Sequence, residues 1–183
     1  MVNKNVKLVA VDMDGTLLDS GKNAPADFES WVLSHPEIQT VLASGRQYAT
    51  LRDMFPSLNE CLMYVADNGS FVFKQGKMIY SNAISEEDIR WCIEYFGAMP
   101  GLDLILCGAK AAYMKHSSGL AEENGRMYYH SLEFVDSLEE CIGKDIIAKI
   151  AVFIDEYRAE EVYNSLSGIP ETIAAVLSGD SWI

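Results

Sequence analysis

Basic residues are scarce in this 183-residue chain: 14 Lys and Arg stand against 27 Asp and Glu, a formal charge of −13. Polyanions are gripped by a basic face, so nucleic acid and anionic membrane surfaces are not expected as partners. The four cysteines, Cys61, Cys92, Cys107 and Cys141, form no C-x-x-C pair and sit among apolar neighbours. That pattern predicts buried thiols in a reducing cytoplasm and argues against a disulfide framework. The three histidines, His35, His116 and His130, lack ligand spacing, so no zinc site is expected. No run approaches the ~18 apolar residues of a membrane span, and Asp12 interrupts the N-terminal apolar run too early for a signal peptide. What the chain does have is a 49% hydrophobic content and a mean hydropathy of +0.03, enough for one large domain or two small ones.

The acidity is unevenly spread. Up to Ser81 there are 7 basic and 9 acidic residues (−2); from Asn82 onward there are 7 and 18 (−11). In the first part, Lys7 to Val11 reads as a strand buried on both faces. A helix containing Phe28, Trp31 and Val32, a strand at Thr40 to Ala43, a helix to about Met54 and a strand at Leu62 to Ala66 follow. Phe71 to Phe73 and Met78 to Tyr80 flank Gln75-Gly76 as a hairpin. Strand–helix–strand–helix–strand predicts an α/β fold with a parallel sheet. After a linker near Ser81 to Ser85, a capped helix carries Ile89, Cys92, Ile93 and Phe96 on one face. Strands are expected at Leu102 to Cys107, Ala111 to Lys115, Ile146 to Ile154 and Ile173 to Leu177, with a helix at Glu156 to Leu166. These make a small α+β module with an open sheet.

Chemistry concentrates in Val9 to Ser20, VAVDMDGTLLDS. Asp12 and Asp14 lie two apart at the carboxyl end of the first strand, so their side chains leave on one side, about 7 Å apart along the chain. Ligands in open α/β sheets bind outside those strand ends. Paired carboxylates suit a nucleophile beside a proton donor, with Mg²⁺ as counter-charge. The plainer alternative is an Asx-turn that ends a strand. Ser44, in VLASGR, follows the second strand and precedes a helix; it is either an anion-binding position or an ordinary N-cap.

Together these residues resemble the haloacid dehalogenase superfamily of phosphotransferases. DMDGT matches its first motif and Ser44 its second, while VADNGSFVF (Val65 to Phe73) looks like the Asn-Gly segment of the Cof-type branch, which carries a type IIB α+β cap. The resemblance implies a partial Rossmann-like parallel sheet over residues 1–81 with the cap at 82–183. It implies a phosphatase: Asp12 the nucleophile, forming an aspartyl-phosphate, and Asp14 the acid and base. Mg²⁺ would be held by Asp12 and Asp14, through the backbone carbonyl of the latter. Ser44 and Gly45 would hold the phosphoryl group, with Arg46 and Asn68 nearby; those two could equally be an exposed helix residue and a turn former.

The family also has a third-motif Lys and a Gly-Asp strand end after the cap, and neither is matched convincingly. Gly179-Asp180 in AAVLSGDSWI reads instead as part of a closing cap hairpin. The expectation is therefore a chain stopping before its return to the core. Losing both groups would leave roughly 10⁻⁴–10⁻⁶ of the full rate. The leading function is hydrolysis of a small phosphorylated metabolite, with specificity candidates at Lys110, Tyr113 and Lys115. The alternatives are a phosphomutase, or a non-catalytic fragment that binds anions or forms a homo-oligomer through the open edge of its first strand.

Overall fold

In the computed structural model, which describes residues 6–117 and 119–183, the first sheet forms from β1 (Leu8–Asp12), β2 (Gln39–Ala43), β3 (Met63–Ala66), β4 (Phe71–Lys74) and β5 (Lys77–Ser81). They lie side by side in chain order. The first three are parallel, joined through α1 (Phe28–Ser34) and α2 (Tyr48–Met54), and the last two fold back antiparallel. Parallel strands need crossovers, which the two short helices supply. Pro36 sits two residues beyond the end of α1, where a helix cannot easily continue. Leu42, Leu51, Leu58, Leu62, Tyr64 and Phe71 are almost wholly removed from water. The Tyr48 and Phe73 rings stack with centroids 3.8 Å apart.

β1 departs from expectation. KLVAV predicts a strand buried on both faces, yet its residues alternate between exposed and half-buried, and Leu8 is 54% exposed. Among the described residues β1 pairs only with β2, so its side chains have neighbours on one flank alone. The interior position belongs to β2, where Thr40, Val41 and Leu42 are buried.

Chain contacts divide the molecule after Asn82. The second unit has a sheet ordered β8-β7-β6-β9, from β6 (Leu102–Gly108), β7 (Ala112–Lys115), β8 (Leu132–Val135) and β9 (Ile147–Ile154). β6 runs antiparallel to both β7 and β9, while β7 and β8 are parallel. α3 (Glu86–Gly97) opens on a cap in which Asp88 N donates to Ser85 Oγ at 3.0 Å and Ser85 Oγ to Asp88 Oδ2 at 2.8 Å. Its Ile89, Cys92 and Phe96 join Leu104, Leu106, Val152 and Ile154 in one core layer. α4 (Gly119–Tyr128) carries Ala121 into a second layer with Ile105, Met114 and Phe153.

Three segments correct the sequence reading. The helix expected from Glu156 is a 3₁₀ turn (Asp155–Tyr157) and then α5 (Ala159–Ser165), because Tyr157 takes a left-handed φ of +56° that an α-helix does not accommodate. Ile173 to Leu177 is not a strand. The edge of β9 is taken instead by Ser181–Ile183: Val152 N donates to Ile183 O (2.8 Å), Ile183 N to Val152 O (3.1 Å) and Ile154 N to Ser181 O (2.9 Å). Trp182 then packs on Phe153, with ring centroids 5.1 Å apart. The half-buried indole adds apolar contact to this pairing. α4 and β8 had no counterpart in the sequence reading.

Asp145 fastens the β6–β7 turn. Its Oδ2 accepts from Lys110 N (2.9 Å) and the Tyr113 hydroxyl (3.1 Å), and its Oδ1 from Ile146 N (2.7 Å). Lys110 Nζ donates to Lys144 O at 2.7 Å. Of the three specificity candidates, two are thus tied into this turn, while Lys115 is exposed. The carboxylate lies where a side chain on Gly108 would have to go, and a Cβ there would also meet Ala111 O at 2.8 Å. Gly108→Ala is expected to cost about 1–3 kcal/mol by overpacking. Part of that loss should disappear in an Asp145→Ala background, the clash with the Ala111 carbonyl remaining, as a double-mutant cycle of urea midpoints would show.

Candidate active site

The register of the parallel strands sets the site. Asp12 pairs with Ala43, and Ala43 with Val65. Adjacent strands lie about 4.8 Å apart, so the exits of β1, β2 and β3 emerge side by side on one edge.

Beyond Asp12 the chain turns tightly. Leu17 N donates to Asp12 O at 3.1 Å and Leu18 N to Met13 O at 2.8 Å, with Gly15 at φ +76°. Met13 is fully buried, as is Leu18, so the turn is nailed into the core at two points. Asp12 and Asp14, on either side of Met13, are both exposed. Asp12 Oδ2 accepts the Thr16 hydroxyl at 3.3 Å. Asp14 is held by cations. Arg46 Nε donates to Oδ2 at 3.0 Å and Nη2 to Oδ1 at 2.8 Å, a bidentate fork. Lys22 Nζ adds a bond to Oδ1 at 2.7 Å. Arg46 above all, and Lys22 with it, draw the Asp14 carboxyl down to about 2, against a weaker upward push from partial burial.

Ser44 N donates to Val65 O at 2.9 Å, and the Ser44 hydroxyl accepts from Arg46 N at 3.2 Å. α2 starts only at Tyr48, with Gln47 as its N-cap, so Ser44 is not the cap of that helix. Past β3, Asp67, Asn68 and Gly69 all take positive φ, +49°, +59° and +92°. Asp67 N donates to Arg46 O (3.0 Å) and Asn68 N to Ser44 O (3.1 Å). The Asn68 amide lies against Gly45 so closely that a Cβ there would sit 3.1 Å from both Nδ2 and Oδ1, so a side chain at this position would press the amide aside by a few tenths of an ångström. Ser44, Gly45, Arg46 and Asn68 are therefore one connected surface, and Arg46 links it to Asp14. Sequence reasoning missed Lys22 and the buried Asp67. Lys22 lies eight residues past Asp14 in a polar loop, and no periodicity points to it.

Among the described residues no three His, Cys, Asp or Glu side chains converge as a metal cage. The oxygen donors at this edge are the Asp12 carboxylate, which no cation pairs with among the described residues, and the Asp14 carbonyl. That set fits Mg²⁺, which keeps several waters and takes only one or two carboxylates from protein.

The depressed Asp14 value sets a direction for acid stability. A carboxyl lowered from 3.8 to about 2 on folding contributes stability that is whole above the unfolded value and is lost as pH falls from about 4 towards 2. Because the pair is half-exposed, the contribution is under about 1 kcal/mol. Thermal midpoints over that window should fall less in Asp14→Asn than in the parent chain.

Residues 9–183 match the family described as haloacid dehalogenase-like hydrolase. The chain is 30% identical over 186 residues to the Escherichia coli (strain K12) 5-amino-6-(5-phospho-D-ribitylamino)uracil phosphatase YbjI, covering 98% of this chain and 67% of that protein. In fold it is similar to TM0651 from Thermotoga maritima (TM-score 0.78, 18% identity, 97% of this chain and 67% of that one). It is also similar to the HAD subclass IIB sugar phosphatase BT4131 (TM-score 0.62, 20% identity, 87% and 63%). The chain thus spans about two thirds of the length of these proteins. A family match over nearly the whole chain, on top of two aspartates at the exit of a parallel strand, makes this chain a member of the haloacid dehalogenase-like hydrolase family.

Proposed function

We propose that the chain carries the nucleophile and the acid–base group of a Mg²⁺-dependent phosphatase acting on a small phosphorylated metabolite. The observation that supports this most directly is the pair of solvent-facing carboxylates, Asp12 and Asp14, on either side of a buried Met13 at the mouth shared with Ser44. An Asp12 oxygen attacks phosphorus; the new O–P bond forms as the bond to the leaving oxygen breaks, and Asp14 gives that oxygen its proton. Water then attacks the aspartyl-phosphate, Asp14 takes the water's proton, and phosphate leaves with Asp12 restored. Ser44, the Gly45 backbone, Arg46 and Asn68 hold the phosphoryl oxygens. The Asp12 carboxylate and the Asp14 carbonyl would hold Mg²⁺, which when bound would supply positive charge to the phosphoryl group.

The Arg46 fork bears on the order of events. With its carboxyl drawn down to about 2, Asp14 is ionised and holds a proton poorly for as long as the pairing with Arg46 lasts. A phosphoryl dianion competes for the same guanidinium, and Arg46 turning from Asp14 to substrate frees the carboxyl for its acid role. On this reading residues 82–183 are the cap of a two-part molecule, and the four free thiols suit a reducing cytoplasm, although Cys61 is exposed and only Cys92, Cys107 and Cys141 are buried as expected.

The two relatives with named substrates act, by their names, on a phosphoribityl compound and on sugar phosphates. A phosphomonoester of a sugar or polyol is accordingly the substrate class to test. With p-nitrophenyl phosphate and Mg²⁺, Asp12→Asn introduced into the full-length protein should lower phosphate release at least ~10³-fold while the far-ultraviolet circular dichroism stays unchanged. Turnover equal to that of the parent protein would eliminate Asp12 as the nucleophile.

A further inference from the structure

Asp14 has more cation than it needs. Both oxygens are satisfied by the Arg46 fork, and Lys22 then adds a third bond to the oxygen that Arg46 Nη2 already occupies. With Asp12 beside it, the sheet edge carries two carboxylates and two cations, and both cations are bonded to the same aspartate.

The loop that delivers this second cation is specifically built. Asp19 N donates to Asn23 O at 3.0 Å, Lys22 N to Asp19 O at 3.0 Å and Asn23 N to Asp19 Oδ1 at 2.8 Å. The Asn23 amide closes the ring on Gly21 O at 3.3 Å. Lys22 itself sits at φ +63°, a left-handed conformation that costs a side-chain-bearing residue free energy. The Lys22 side chain stays 61% exposed even while bridged, so it can swing away on a long stem. An exposed ion pair stabilises a fold very little. Stability alone does not account for a strained, cross-braced loop that ends on a carboxylate already paired.

We propose that Lys22 is a substrate-binding residue whose ammonium moves from Asp14 to the phosphoryl group when substrate arrives. The proposal rests on the phosphatase reading and adds to it a residue outside both sequence motifs. A cation within about 4 Å of a dianion is held more strongly than one beside a single carboxylate already neutralised by arginine. Arg46 and Lys22 then act as a pair on loan to Asp14: they keep the two aspartates from repelling each other in the empty site, and they close on the phosphoryl oxygens in the filled one.

The test uses inorganic phosphate as the probe, measured by calorimetry with Mg²⁺ present, alongside p-nitrophenyl phosphate kinetics. Lys22→Met should weaken phosphate binding roughly ten- to a hundredfold, the scale of one lost hydrogen bond to a charged group. KM should rise by a similar factor with kcat within about threefold, and Lys22→Arg should recover most of both. Lys77→Met, which removes an exposed lysine from β5, serves as the control for net charge and should leave both unchanged. Phosphate affinity in Lys22→Met equal to that of the Lys77 control would overturn the proposal, as would an effect confined to kcat. If that null result comes while Asp12→Asn still abolishes turnover, only the role of Lys22 falls. If the parent chain neither binds phosphate nor loses turnover in Asp12→Asn, the phosphatase reading falls with it.

Discussion

Parallel pairing of β1, β2 and β3 is the constraint on which the site depends. Because Asp12, Ala43 and Val65 are in register, three loops far apart in sequence leave the sheet within two strand spacings of one another. No loop closes a pocket alone. The first brings carboxylates, the second a hydroxyl and a guanidinium, and the third clamps the second through bonds from Asp67 N and Asn68 N. A shift of one residue between β1 and β2 would turn the side chains of β1 to the opposite face. Met13 and Leu18, both buried, oppose that slip.

Electrostatics builds on this frame. Two carboxylates at one strand exit repel, and the fold answers with Arg46 from the next strand's exit, half-buried at 21% side-chain exposure and bonded through two nitrogens. A guanidinium suits that task because its planar fork matches both oxygens at once. The result is an asymmetric pair: Asp14 is paired with cations, whereas among the described residues the Asp12 carboxylate carries a hydroxyl bond from Thr16 and no cation. That asymmetry separates a carboxylate open to an electrophile from one whose charge is already shared.

The α/β class and the strand–helix order were legible because apolar runs such as Thr40 to Ala43 are bounded by Gly and polar exits. Asp12, Asp14 and Ser44 stood out because they terminate such runs. Burial was less legible: KLVAV has the composition of an interior strand, but the number of neighbours a strand has is not a local property. α4 was hidden for another reason. Gly119 and Gly125 weaken its helical pattern, and Gly125 is small because Met114 Sδ would lie 2.9 Å from a Cβ there. Likewise Ile173 to Leu177 has strand composition, yet the edge of β9 goes to the segment that packs Trp182 on Phe153. Lys22 could not be found from pattern at all, since its place is set by the folding of a loop around Asp19.

The left-handed run Asp67-Asn68-Gly69 shows what the fold gives up for this site. Two of the three residues carry side chains, and each costs roughly 1 kcal/mol or more in that conformation. A looser turn between β3 and β4 would avoid the strain, but it would not present two consecutive N–H groups to the carbonyls of Arg46 and Ser44. Those two bonds hold Ser44, Gly45 and Arg46 as a fixed surface before any ligand arrives, with the Asn68 amide pressed onto Gly45. Groups ordered in advance do not have to be ordered again on binding, which is where a polar site gains strength over water. Strain in the third loop therefore acts on the second, and the geometry around Asp14 depends on a turn whose side chains do not contact it.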